Sequence, residues 1–147
     1  MDFDLKSEHL ELQRKVRKFC EDEVMPQAQE NDRKGAFHWG LMPGLRKLGL
    51  LGITFPKKYG GQELDEVSLC VILEELGRAD AALALTVESH NGLCTNHIYL
   101  HGSEAQRQKY IPRLAAGEVL GAWALTEPQA GSDANSLQTK ADFDGTH

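Results

Sequence analysis

The chain has 147 residues, 26% of them charged, with 16 Lys and Arg against 22 Asp and Glu for a net charge of −6. That length suits one packed domain, or one domain and part of another. The acidic balance argues against a nucleic-acid surface, and no apolar run of eighteen residues is present to span a membrane.

Residues 7 to 31 read as a first helix. Leu12, Val16, Phe19 or Cys20, and Val24 recur at three- and four-residue steps, which puts them on one face. Ser7 is the expected N-cap, and Pro26, lacking a backbone donor, is expected to kink or interrupt the helix. The start Met1-Asp2-Phe3-Asp4 is acidic, with neither a secretory nor a mitochondrial import pattern, so a bacterial cytoplasmic location is expected. Cys20, Cys70 and Cys94 are odd in number and lack CxxC spacing, as suits a reducing compartment.

A shorter helix is predicted over Trp39 to Leu48, stopped at Gly49. Leu50 to Phe55 is too apolar to be exposed and is expected to be a buried connector, followed by a turn over Lys57 to Gly61. Asp65 to Ala79 is predicted as a third helix, with Leu69, Ile72 or Leu73, and Leu76 inward. Ala81 to Leu100 is a fourth, ended by Gly102, and its Ala81–Leu85 turn predicts burial on more than one side. Ser103 and Gln106 form a capping-box pattern, followed by a short helix to Tyr110 and a further turn or two from Pro112 to Ala116.

The composition then changes. Val119 to Thr126 reads as a short buried strand, and Glu127 to Asp133 as an irregular loop. A strand end presents backbone groups to a planar heterocycle. The Ala130-Gly131-Ser132 turn lets N–H groups converge on an anion, with Gly131 permitting close approach. Leu137 to Phe143 alternates as a second strand, and Asp144-Gly145 is a hairpin signal whose second strand is missing, so the chain reads as a fragment.

Three constellations invite chemistry. Glu127 is better explained as a turn-fixing acceptor than as a general base. His90, Cys94, His97 and His101 share a helical face by their spacing, but the outer pair is too far apart to share an ion, so no metal site is assigned. Glu74 and Glu75 point about 100° apart on a helix and form no acid pair; one faces solvent or a partner such as Arg78.

Ala124-Leu125-Thr126-Glu127-Pro128 followed by Ala130-Gly131-Ser132-Asp133 resembles the flavin-binding signature of the acyl-CoA dehydrogenase family. The likeness extends to Phe55-Pro56 with Tyr59-Gly60-Gly61, to Glu74-Glu75-Leu76-Gly77, and to Gly102-Ser103-Glu104-Ala105-Gln106 through Tyr110-Ile111-Pro112-Arg113-Leu114-Ala115. It implies a mainly α fold: a helical N-terminal domain over residues 1–117, and the start of a truncated β-domain over 118–147. It also implies FAD-dependent α,β-dehydrogenation of an acyl-CoA thioester, in which a base takes the α-proton and the β-hydride passes to flavin N5.

By the same likeness Trp123, Leu125 and Thr126 would contact the isoalloxazine, and Gly131 and Ser132 the FAD pyrophosphate. Ser132 would also meet the acyl-CoA, and Ser89, in the Ser89-His90-Asn91 stretch, would lie at the closed end of the acyl pocket. No catalytic residue is expected here, because the family's base lies in a C-terminal helical domain, so the fragment alone is expected to be inactive. Trp123 departs from the commoner Tyr or Phe, and Gln129 from a small residue. The family suggests electron-transferring flavoprotein as partner and a homotetramer. An acyl-CoA oxidase or flavin monooxygenase on the same scaffold, or a non-enzymatic helical assembly module, are the alternatives.

Overall fold

The computed structural model describes residues 4–37 and 39–146. The readings made for Met1, Asp2, Phe3 and His147 fall outside them.

Helix α1 spans Ser7–Phe19. Its N-cap is Lys6, in extended backbone and without a side-chain cap, so Ser7 lies one residue too late for the role expected of it. Just ahead of Pro26 the α-helical pattern is interrupted, as expected, although the rod continues. Cys20–Val24 widens to a π-turn and α2, Met25–Lys34, continues with Pro26 in its first turn; a wider hydrogen-bonding step accommodates a residue that has no N–H to give. α2 outlasts the expected end at Asn31 and stops at Gly35, whose φ of 59° lets the Gly35 and Ala36 N–H groups return to Asp32 and Asn31.

A 3-10 turn, Trp39–Leu41, leads into α3, Met42–Lys47. Gly49, at φ 70°, ends it as expected: its N–H reaches the Arg46 carbonyl at 3.0 Å and that of Leu50 reaches Leu45 at 2.9 Å. The connector that follows is buried at Leu50, Leu51, Ile53 and Phe55. Buried backbone must find partners, and residues 62–64 fold back to supply several. Gln62 N–H donates to Gly52 at 2.7 Å, Leu64 N–H to Ile53 at 3.0 Å and Glu63 N–H to Phe55 at 3.0 Å. Gly61 permits that return, since a Cβ there would lie 1.9 Å from the Phe55 carbonyl oxygen.

Asp65 caps α4, Glu66–Ala79, by accepting the Ser68 N–H at 2.8 Å and its hydroxyl at 2.7 Å. α4 packs against α1 and against α5, Ala81–Glu88. Glu75 of α4 turns inward, 2% exposed, and accepts from Arg17 Nη2 at 2.6 Å and Arg78 Nε at 3.2 Å. Arg17 is the larger cause holding that carboxyl below its ordinary range, with Arg78 adding to it. Glu74 is exposed, so the two neighbours part as expected.

The fourth predicted helix is continuous, but not as one α-helix: α5 passes through a π segment, Ser89–Thr95, into α6, Asn96–His101. Its apolar first turn is not buried on several sides. Leu83 is fully buried, whereas Leu85 is 64% exposed, because α5 presents only its Leu83 and Val87 stripe to the core. α7, Glu104–Ala115, carries the expected capping box: Ser103 accepts the Gln106 N–H, and the Gln106 side chain accepts the Ser103 N–H at 2.7 Å. It runs straight through Pro112 rather than in two pieces.

The main core joins Val16, Phe19 and Val24 to Leu45, Leu51, Ile53, Ile72, Leu76 and Leu83. A second cluster of Phe55, Tyr59 and Ile111 packs on Tyr99. The helical bundle is the expected one. The two strands are not present among the described residues: beyond α7 the paired extended backbone is confined to a bridge between Glu127 and Ala130. A strand is defined by a neighbour that exchanges N–H···O=C bonds with it, and the described residues offer none to 119–126 or 137–143. Asp144 does form a turn, accepting from Thr146 N–H at 2.8 Å, with Gly145 at φ 99°.

Candidate functional site

The segment singled out from the sequence leaves α7 through Gly117, at φ 67°, and runs along the α5–α6 helix. It is fastened there at two places. Gly121 N–H donates to His90 Nδ1 at 2.9 Å, and the Trp123 and His97 rings meet in an edge-type contact, 4.6 Å between centroids. His97 in turn stacks obliquely on His101 at 4.8 Å. Leu120 packs on the main core, and Val119 to Ala122 border a cavity of about 220 Å³ shared with Cys94, Ile98 and Tyr110. The side chains beyond are presented outward: Trp123 is 37% and Leu125 38% exposed, and Thr126 is exposed too.

At Glu127 the chain doubles back. Glu127 N–H donates to Ala130 O at 2.9 Å and Ala130 N–H to Glu127 O at 3.1 Å, closing a tight turn over Pro128 and Gln129 with Ala130 buried. The Glu127 carboxylate then gathers the far side of the loop. It accepts the N–H of Gln138 at 2.8 Å, that of Thr139 at 3.0 Å, the Thr139 hydroxyl, and Gln129 Nε2 at 2.6 Å. The Thr139 hydroxyl is the largest cause, and the two backbone donors the next, that hold this carboxyl below its ordinary range. A carboxylate so occupied is a loop clasp and a poor proton acceptor, as the turn-fixing reading expects. Asp133 accepts from Asn135 N–H at 3.2 Å and the Ser136 hydroxyl at 2.5 Å, shaping the turn after Ser132.

Trp123, Leu125 and Thr126 are therefore all exposed on one segment, and Gly131 and Ser132 lie on the clasped loop that continues it. Gly131 is exposed, and a Cβ there would meet no atom within 4 Å, so the chain itself does not crowd it. Ser89 stands apart at the start of the π segment, partly buried, with its hydroxyl 3.4 Å from Glu88 Oε2. Its neighbours are structural. Asn91 accepts the Ile53 N–H at 3.1 Å and donates to Leu50 O at 3.0 Å, while His90 Nε2 lies 3.0 Å from Leu51 O and 3.2 Å from Leu114 O.

The four-residue face of His90, Cys94, His97 and His101 is divided by the π segment: His90 is buried, and His97 and His101 are exposed. The His, Cys, Asp and Glu donors that do cluster among the described residues are Glu8, His9 and Asp65. There His9 Nε2 sits 3.2 and 3.1 Å from the two Asp65 oxygens, beside the Asp65 cap of α4. A hollow of about 450 Å³ is adjacent and lined by Glu8, Glu11, Glu63 and Asp65 with Lys15, well removed in sequence from the Trp123–Ser132 segment. The roles of His90 and His97 toward that strip were not anticipated. The signal available was the placement of both on the helix that precedes it.

The family model for the acyl-CoA dehydrogenase N-terminal domain matches residues 6–118. The chain is 41% identical over 145 residues to mitochondrial isovaleryl-CoA dehydrogenase of Pongo abelii, covering 97% of this chain and 34% of that protein. The solved butyryl-CoA dehydrogenase of Megasphaera elsdenii superposes with a TM-score of 0.86 at 38% identity, over 95% of this chain and 37% of that one. An acyl-CoA dehydrogenase of Bacillus anthracis, solved with FAD, superposes at 0.79 with 40% identity, over 91% of this chain and 23% of that one. The chain thus spans about a third of the length of the curated relative it matches. No helix among the described residues is long and apolar enough to cross a membrane.

Proposed function

The chain belongs to the acyl-CoA dehydrogenase family by its N-terminal domain, and from that premise we propose that it supplies the helical frame and the first cofactor-contacting strip of a FAD-dependent acyl-CoA dehydrogenase. In this proposal residues 1–117 are the helical domain and 118–147 open a β-domain. The observation that carries it is that Trp123, Leu125, Thr126, Gly131 and Ser132 all lie exposed on one segment, which His97 backs and the Glu127 clasp closes.

The residues fit such a cofactor. The Thr126 and Ser132 hydroxyls are exposed and bonded to nothing else among the described residues, and Gly131 offers bare backbone. Thr126 would donate to the edge of the isoalloxazine, with Trp123 and Leu125 giving it apolar cover. Gly131 and Ser132 would take the pyrophosphate and Ser132 also the acyl-CoA, with Ser89 toward the end of the acyl chain. When bound, FAD accepts the hydride from the acyl β-carbon. The α-proton falls to a carboxylate elsewhere in the protein, since Glu127 is spent on its loop. Electron-transferring flavoprotein as the oxidant, and a homotetramer, complete the proposal.

The test is made in a family-length protein containing this chain. Thr126→Val and Ser132→Ala each remove a hydrogen bond of about 0.5–1.5 kcal/mol, so flavin retention or acyl-CoA turnover should fall by a few-fold to about tenfold with helix content preserved. Unchanged flavin absorbance and turnover in both variants would reject the assignment.

A further inference from the structure

His90 has no exposed surface, and its three contacts determine how its proton is held. Leu51 and Leu114 present carbonyl oxygens to Nε2 at 3.0 and 3.2 Å, and a carbonyl can only accept. Gly121 presents an amide N–H to Nδ1 at 2.9 Å, and an amide N–H can only donate. The imidazole is therefore neutral, with its hydrogen on Nε2 and a lone pair on Nδ1. Thr95 Oγ1, donating to the His90 carbonyl at 2.7 Å, braces the backbone from the far side of the π turn.

The strip it holds has little else. Among the described residues 119–126, the Gly121 N–H is the backbone group that finds a hydrogen-bond partner, and that partner is His90. The approach is close, because a Cβ at Gly121 would lie 2.8 Å from Cys94 Sγ and 3.3 Å from His90 Nδ1. Trp123 follows two residues later.

We propose that His90 is a positioning residue: its Nδ1 tethers Gly121 and so sets where the Trp123–Thr126 strip lies, and a proton on Nδ1 releases it. Protonation would set two donors, Nδ1–H and the Gly121 N–H, against each other. The functional meaning rests on the reading of that strip as cofactor-contacting; the tether itself does not.

The surroundings favour the neutral ring. Burial pushes the His90 imidazole below its ordinary value of 6.5, and the two carbonyls oppose that only in part. The ionisable groups on the elements packed around it are the Cys94 thiol against Gly121, Arg46 beside Gly117, and Arg113 paired with Glu118 at 3.4 Å. On its own helix Glu88 faces the Ser89 hydroxyl. No carboxylate among the described residues contacts the ring to hold an imidazolium.

The test uses the 147-residue chain with nitrogen-labelled histidine. At neutral pH, NMR should show a proton on His90 Nε2, none on Nδ1, and a Gly121 amide protected from exchange. As pH falls below 6.5, Nδ1 protonation and at least a tenfold loss of Gly121 protection should share one midpoint, with the helical signal intact. His90→Asn places an acceptor oxygen near the Nδ1 position without a titrating group, so Gly121 protection should persist and lose its pH step. An Nδ1–H tautomer, Gly121 protection that survives His90 protonation or is lost only with global unfolding, or a pH step retained in His90→Asn would each overturn the tether. No readout involves flavin, so failure here is distinct from failure of the cofactor assignment.

Discussion

Asn91→Ala should cost about 3–5 kcal/mol, because the carboxamide is the partner of buried backbone that has no route to water. The Leu50 and Ile53 residues it serves are 1% and 0% exposed. Asn91 Oδ1 accepts the Ile53 N–H at 3.1 Å, and Nδ2 donates to Leu50 O at 3.0 Å and to Val87 O at 2.9 Å. Truncation orphans the Ile53 donor and the Leu50 acceptor, at about 1–2 kcal/mol each, and leaves a carboxamide-sized hole worth about 1 kcal/mol. Against a total stability of about 5–15 kcal/mol, that is enough to move a urea midpoint far to the left. The measurement is urea unfolding followed by far-ultraviolet circular dichroism. Asn91→Asp sharpens it. An ionised aspartate still accepts from Ile53 but turns negative oxygen toward two carbonyls, so its folded pKa must rise above the ordinary value of about 3.9. Its stability is then fullest below the ordinary value and is lost as pH rises through the folded one. A loss under about 1 kcal/mol for Asn91→Ala, or a pH-independent Asn91→Asp, would refute this account of the connector.

Glu75→Ala should cost about 2–3 kcal/mol, below the range for breaking a fully buried pair, because Arg17 and Arg78 are 47% and 40% exposed and can turn to water. Since Arg17 and Arg78 hold the Glu75 carboxyl below its ordinary 4.5, its contribution is present above that value and is lost as pH falls below it. The stability gap between the native chain and Glu75→Gln should therefore narrow in acid, and a gap constant from pH 7 to 3 would contradict the ion-pair assignment. Ser103→Ala removes one half of the α7 capping box and should cost about 1 kcal/mol in the same urea assay; a change within error would assign the cap no energetic role.

The helices were legible because their determinants are local. Gly49 and Ser103 mark ends through backbone conformation and a side-chain cap, and both do so in the structure. The Leu50–Phe55 connector was legible from bulk alone, since so apolar a stretch had to be inside. What escaped was set by partners far away in the chain. Nothing near His90 announces that Leu51, Leu114 and Gly121 will converge on it from 39, 24 and 31 residues away. Leu85 carries the same apolar signal as Leu83, yet the rest of the fold covers only Leu83. The strands expected over 119–126 and 137–143 depend on neighbours to pair with, which local pattern cannot supply. Of the site, Glu127 was legible as a clasp from its turn context, whereas the backing of Trp123 by His97 was not.

The π segment at Ser89–Thr95 has a geometric consequence for everything downstream. Each residue of an α-helix turns the chain by about 100°, so accommodating one additional residue within a widened turn re-aims the following helix by roughly that angle. Within the widened turn Asn91 and Thr95 lie inside, while beyond it His97 is exposed and meets the indole. The bulge thus works as an angular adapter, letting one rod seal the interior along its first half and brace a surface ribbon along its second.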